Sequence, residues 1–158
     1  MQNKAPMAAT RQPAWMIYAL FFTLTAAAAS VGALFGPGAW YAALQKPSFN
    51  PPNWLFAPVW TVLYVMIAVA GARTWRVAAD SGVCALWGLQ LALNAVWTYL
   101  FFGVHRADLA LIDIGLLLAT IVAFIVRAWP IDRTSAGLFV PYFLWVSFAT
   151  ALNFALWR

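Results

Sequence analysis

Five stretches of the chain, each 18 residues or longer, pass almost without a charged side chain. They cover about residues 15–35, 54–72, 83–104, 109–126 and 135–157, and only the fourth contains an acid, Asp113. A helix needs about 20 mostly apolar residues to cross the hydrocarbon of a bilayer, so each stretch has the length of a span. The runs are continuously apolar, which fits helices and not the alternating strands of a barrel. Of the 158 residues, 65% are hydrophobic and 8% charged, with nine Lys/Arg, four Asp and no Glu. Soluble domains average about 25% charged residues, and so few charges cannot make a water-facing surface. The expected fold is an all-α integral membrane protein, a single domain over residues 1–158 built as a five-transmembrane-helix bundle.

Gaps of hairpin length, 73–82, 105–108 and 127–134, separate the later spans, whereas the first connection, 36–53, is long and rich in Pro and aromatics. Five spans put the termini on opposite sides. One side collects Lys4, Arg11, Arg73, Arg76, Arg127 and Arg133, the other Lys46, Arg106 and Arg158. This bias predicts a cytoplasmic N-terminus and an external first connection. Lys4 and Arg11 before an apolar run, with Ala26-Ala27-Ala28-Ala29-Ser30 following, have the outline of a signal peptide. The run continues through Val31 to Phe35, so it is expected to remain as a span.

Several chemistries are excluded. A single cysteine, Cys84, allows no internal disulfide and no CxxC site, and reads as a small apolar residue. A single histidine, His105, beside Arg106 at a span end, has no second metal ligand near it. The net charge of +5 reflects missing acids, and no run of Lys/Arg is dense enough for nucleic acid. No nucleophile, acid–base pair or metal site stands out, so no catalytic residue is assigned.

Helices in lipid associate through close packing or polar contacts. Ala28, Gly32 and Gly36 in the first span, and Ala85, Gly88 and Ala92 in the third, offer small-residue stripes. These serve intramolecular packing or a homodimer seam. Trp15, Trp54, Trp75, Trp129 and Trp157 stand at span ends, where indoles favour the headgroup region. Asp113, about one turn inside its span, is expected to be solvated at the boundary or hydrogen-bonded to a neighbouring helix.

The remaining aromatics form a pattern. Trp87, Gln90, Asn94, Trp97 and Phe101 recur at three- and four-residue spacing and share one helix face. Trp60 and Tyr64 lie one turn apart, and Tyr142, Trp145, Ala149 and Asn153 follow one side of the last span. Polar groups at membrane depth should face the bundle interior. Two readings stand side by side. The rings fill the core around interhelical hydrogen bonds, or they wall a cavity for a large planar hydrophobic ligand oriented by one or two hydrogen bonds. The connection 36–53 favours the second. Its prolines Pro47, Pro51 and Pro52 stiffen it, and Trp40, Leu44 and Phe49 should turn it down onto the bundle mouth as a lid.

The stretch Trp40-Tyr41-x-x-Leu44-x-Lys46-Pro47-x-x-x-Pro51-Pro52-x-x-x-Phe56-x-Pro58-x-Trp60-x-x-Leu63-Tyr64 resembles the translocator protein / tryptophan-rich sensory protein family, also called peripheral-type benzodiazepine receptors. Asn94-x-x-Trp97, Val140-Pro141-Tyr142-x-x-Trp145 and Leu152-Asn153 agree with it in order and spacing, so the resemblance runs from the first span to Arg158. It implies a five-helix membrane protein, often a homodimer, binding porphyrins of the protoporphyrin IX type and synthetic isoquinoline carboxamides or benzodiazepines, with no obligatory cofactor. Residue by residue, it implies a pocket lined by Trp40, Trp60, Asn94, Trp97, Trp145 and Ala149, with Trp60 and Asn94 bonding a ligand carbonyl. For bacterial members it implies the inner membrane and regulation of tetrapyrrole and pigment metabolism under stress. Light-dependent porphyrin breakdown at Trp60 and Trp145, and transport of tetrapyrroles or lipids, are the alternative functions. The family's sterol motif is incomplete here: Leu152 and Arg158 are kept, but Phe154 stands where a Tyr hydroxyl would meet a sterol.

Overall fold

The structure, a computed structural model, describes residues 12–158. Lys4 and Arg11, two of the cations used to orient the chain, lie outside the described residues. All five expected spans are helices. Helix α1 (Ala14–Leu34) starts after Pro13, and the chain turns at Gly36-Pro37-Gly38 into a one-turn helix α2 (Ala39–Ala43). After Pro51-Pro52 a 3₁₀ turn, Asn53–Leu55, leads into α3 (Phe56–Ala78). Pro58 is accepted in the first turn of α3, where its nitrogen has no helical acceptor to reach. Helix α4 (Gly82–Thr98) runs on into a π-helical turn, Tyr99–Gly103. His105, at φ 58°, then reverses the chain into α5 (Ala107–Ala128), and Asp132 caps α6 (Arg133–Trp157).

The second span is longer than charge spacing predicts, continuing past Ala72 through Arg73 and Arg76 to Ala78. Both arginines have local uses that let them stay on the helix. Arg73 donates through Nε and Nη2 to the two oxygens of Asp132, at 2.9 and 3.0 Å. The Arg76 guanidinium lies 6.0 Å from the Tyr18 ring centroid.

Helix α1 packs on α3 and α4, α5 packs between α4 and α6, and α3 closes the bundle against α6. Phe124 and Phe139 stack 3.9 Å apart between α5 and α6 at the centre. The outer faces are apolar as well: Val62, Ile112, Leu116 and Leu144 are each more than half exposed. A surface of that kind suits lipid and not water, and with five spanning helices it makes the chain a multi-pass integral membrane protein.

One junction lets three helices meet closely. The Trp87 indole N–H of α4 donates to the Ile67 carbonyl of α3 at 2.8 Å, and its ring meets Phe21 of α1 edge-on at 4.6 Å. Both rings lie over Gly71, where a Cβ would come within 2.5 Å of each. A glycine is therefore required there for packing, not for backbone conformation. The small-residue stripes are used unequally. Ala28 packs against the core, whereas Ala85, Gly88 and Ala92 are exposed on the outside of α4, away from any intramolecular partner.

At the end of the bundle, Asp132 also accepts from Ser135 Oγ at 2.7 Å and from the Thr134 backbone N–H at 3.2 Å. Ser135 Oγ lies 3.2 Å from the Ala70 carbonyl as well, so one carboxylate ties the α5–α6 turn to α3. The Arg73 guanidinium holds the Asp132 carboxyl below the usual carboxylate range.

Two outcomes are expected in thermal unfolding of the detergent-solubilised protein. Gly71→Ala forces two buried rings aside and should cost about 1–3 kcal/mol. Gly88→Ala, with nothing within 4 Å of the new methyl, should be neutral or slightly stabilising. Because the Asp132 pKa is lowered on folding, its contribution is complete above the ordinary Asp value of about 3.9 and is lost as pH falls through the lowered folded value. Asp132→Asn should lower the melting temperature at pH 7 and remove that part of the acid sensitivity.

Candidate ligand-binding site

The turn spacing of Trp60 and Tyr64 aims both at the junction of α3, α4 and α6. The Tyr64 hydroxyl donates to Asn94 Oδ1 at 2.8 Å, and Asn94 Nδ2 donates to the Tyr142 hydroxyl at 3.4 Å. This phenol–amide–phenol chain links three helices inside the membrane, with Asn94 and Tyr142 almost wholly buried. Trp60 stacks on Tyr64 at 5.3 Å and meets Tyr142 edge-on at 6.3 Å, so its ring covers the polar chain.

A second link lies one turn further along α4. The Trp97 indole N–H donates to Asn153 Oδ1 at 3.0 Å, and Asn153 Nδ2 donates to the Ala107 carbonyl at 2.9 Å. Trp97 also stacks on Phe101 at 5.3 Å, and Phe101 meets Trp40 edge-on at 5.5 Å. Trp40 itself stacks on His105 at 4.4 Å. The connection over residues 36–52 thus rests on the end of α4. Its buried Tyr41 donates to Asn50 Oδ1 at 2.9 Å, and burial pushes the Tyr41 phenol pKa up. Trp40 and Leu44 turn inward as expected, while Phe49 is half exposed and reaches Phe148 of α6 edge-on at 6.4 Å.

Trp145 stands apart from both links. Its ring meets Phe56 at 5.9 Å and Phe148 at 5.6 Å, and its indole N–H is buried with no acceptor among the described residues. Ala149, one turn on, is half-buried against the same core. Trp145 also forms part of the wall of a cleft of about 660 Å³ between α3 and α6. Pro58, Val59 and Met66 line one side, Pro141 and Leu144 the other, and Trp54 the mouth. Pro141 lies inside α6 and has no N–H for the carbonyl one turn back, which loosens the helix beside this gap. The volume is within the range of about 300–1,000 Å³ that small-molecule sites occupy.

The predicted residues therefore fall into three neighbouring groups. Trp60 and Asn94 are joined through Tyr64 and Tyr142. Trp97 and Trp40 are joined through Phe101. Trp145 borders the α3/α6 cleft, and Ala149 follows it one turn on. Trp87, on the same face of α4 in sequence, belongs instead to the Gly71 junction. Gln90 donates to the Trp87 carbonyl at 2.9 Å, and its Oε1 is unpartnered among the described residues. Asp113 is buried, and its Oδ2 lacks the partner that its position led us to expect. Of the sterol-motif positions, Leu152 is buried, whereas Phe154 is exposed with the Arg158 guanidinium 4.3 Å from its ring centroid. The His105 platform under Trp40 and the Phe148 edge were not anticipated. His105 carries a positive φ that no residue pattern announces, and Phe148 is one apolar residue among many. Pro141 within an apolar run was the one available signal for the cleft.

The TspO/MBR family model matches residues 17–158. Protein CrtK of Rhodobacter capsulatus is 41% identical over 146 residues, covering 90% of this chain and 91% of its own. The tryptophan-rich sensory protein of Cereibacter sphaeroides is 35% identical over 144 residues, 91% of each chain. The human translocator protein is 36% identical over 156 residues, 92% of this chain and 91% of its own. The chain belongs to the TspO/MBR family.

The Tyr64–Asn94 bond should be measurable in a double-mutant cycle. Tyr64→Phe and Asn94→Ala should couple by about 0.5–1.7 kcal/mol in unfolding free energy, the range seen for hydrogen bonds between membrane helices. Asn153→Ala, which breaks the bonds to both Trp97 and Ala107, should destabilise by more than Tyr64→Phe alone.

Proposed function

We propose that this TspO/MBR chain is a membrane receptor and sensor for flat, largely apolar ligands of the porphyrin class. The ligand lies in the α3/α6 cleft against Trp145, and the 36–52 connection, whose Phe49 reaches Phe148 beside Trp145, closes over its end. The observation that carries the reading is an apolar cleft of about 660 Å³ whose wall includes Trp145, a residue with a buried indole N–H that has no acceptor among the described residues. An unsatisfied buried donor costs about 1–3 kcal/mol, and a ligand carbonyl or carboxylate reaching it would remove that cost. Apolar walls with a few fixed polar groups are the general form of a small-molecule site. Asn94 becomes a second polar point when the Trp60 ring that covers its bonds to Tyr64 and Tyr142 moves aside, and Ala149 lies one turn from Trp145. No residue is assigned a catalytic role, and the porphyrin is a ligand and not a resident cofactor.

The names of the relatives, one a sensory protein and another a translocator, agree with a ligand-responsive membrane role. The bacterial relatives support the inner membrane, with the N-terminus in the cytoplasm by the charge bias. The exposed Ala85–Gly88–Ala92 face supports pairing of two chains.

Titration of the purified protein with protoporphyrin IX, followed by tryptophan fluorescence, tests the reading. Saturable quenching is expected. Trp145→Phe, which keeps the ring wall but removes the donor, should weaken binding by about fivefold. The combined Trp60→Phe and Asn94→Ala variant should weaken it further. Absence of saturation, or unchanged affinity in all these variants, overturns the assignment.

A further inference from the structure

A second cleft, of about 540 Å³, lies at the opposite end of the bundle, where the first turn of α1 meets the last turns of α3. Gln12, Ile17, Trp75 and Arg76 line it, and the Arg73–Asp132 pair forms its edge. The two arginines differ in what they have left to offer. Arg73 is engaged by both oxygens of Asp132. Arg76 is exposed and pairs with no carboxylate among the described residues. Its place over the Tyr18 ring orients the guanidinium while leaving its N–H donors at the edge free. Trp15 and Trp75 are both exposed beside it, which fixes the height of the cleft at the headgroup layer.

We propose that this cleft holds the phosphate of an anionic phospholipid, with Arg76 as its charged partner. A guanidinium presents paired N–H donors that match phosphate oxygens, and the Gln12 amide, in the segment that leads into α1, offers a further donor. The remaining wall, Ile17, Trp75 and Val77, is apolar and runs toward the hydrocarbon. That wall would cover the start of an acyl chain, and it gives nothing to a free inorganic anion. A lipid, carrying both parts in one molecule, is therefore the occupant. Held there, it would bridge α1 and α3 at an end where no side-chain hydrogen bond joins these two helices among the described residues.

Native mass spectrometry of the full chain in detergent tests this, with phosphatidylglycerol and phosphatidylcholine of identical chains added in parallel. Phosphatidylglycerol should be retained about fivefold more than phosphatidylcholine, the preference expected from one arginine near a phosphate. Arg76→Gln should abolish the preference and Arg76→Lys should restore part of it. Arg127→Gln, on the same side but outside the cleft, should leave it unchanged. Equal loss in Arg76→Gln and Arg127→Gln would mean diffuse attraction to a basic surface and would overturn the site. So would a full preference retained in Arg76→Gln. Inorganic phosphate at millimolar concentration should not displace the lipid; displacement would overturn the assignment to a lipid headgroup.

Discussion

Inside hydrocarbon a polar side chain has no water to fall back on, and the arrangement of this bundle follows from where its few amides, phenols and indoles find partners. Asn94 binds Tyr64 on one side and Tyr142 on the other, and Asn153 binds Trp97 and the Ala107 carbonyl. These two asparagines connect α3, α4, α5 and α6 without a single charge. Apolar side chains alone could not select this arrangement, because lipid tails offer them equivalent contacts. Hydrogen bonds supply direction, and the close approach of helices at Gly71 supplies the packing that lipid cannot match.

The same constraint makes the exceptions informative. Trp145 Nε1, Gln90 Oε1 and Asp113 Oδ2, like the hydroxyls of Thr25, Thr74 and Ser81, are buried without partners among the described residues. Trp145 borders an apolar cleft, so its unmet donor belongs to a residue with open space beside it. The other five border neither of the two clefts described, so the same deficiency at those positions does not imply the same use. What distinguishes the Trp145 site is the combination of an open wall and an unspent hydrogen bond.

Much of the fold was legible because the bilayer sets a length that the apolar runs match. The five spans follow from charge spacing, and the inward amides follow from their helical register. Charge spacing failed where cations had local partners: α3 passes through Arg73 and Arg76 because Asp132 and the Tyr18 ring receive them. Register alone also could not separate Trp87 from Trp97. Both lie on one face of α4, yet one indole reaches Ile67 on α3 and the other Asn153 on α6. The division depends on which helix stands opposite each turn, which is tertiary information. The π-helical turn at Tyr99–Gly103 and the positive φ of His105 were invisible for the same reason, since they arise from how α4 must end to deliver the chain into α5.

The Arg73–Asp132 pair has a bearing on how the molecule is made. Its partners are 59 positions apart, separated by two membrane crossings that bring the chain back to the same side. A chain emerges from the ribosome N-terminus first, so α3 is synthesised well before the carboxylate that receives its guanidinium. Until the final hairpin arrives, the early helices lack the tie between α3 and the last turn. Assembly is thus sealed late, and a nascent chain truncated before Asp132 would carry four of the five spanning helices with their clasp still open.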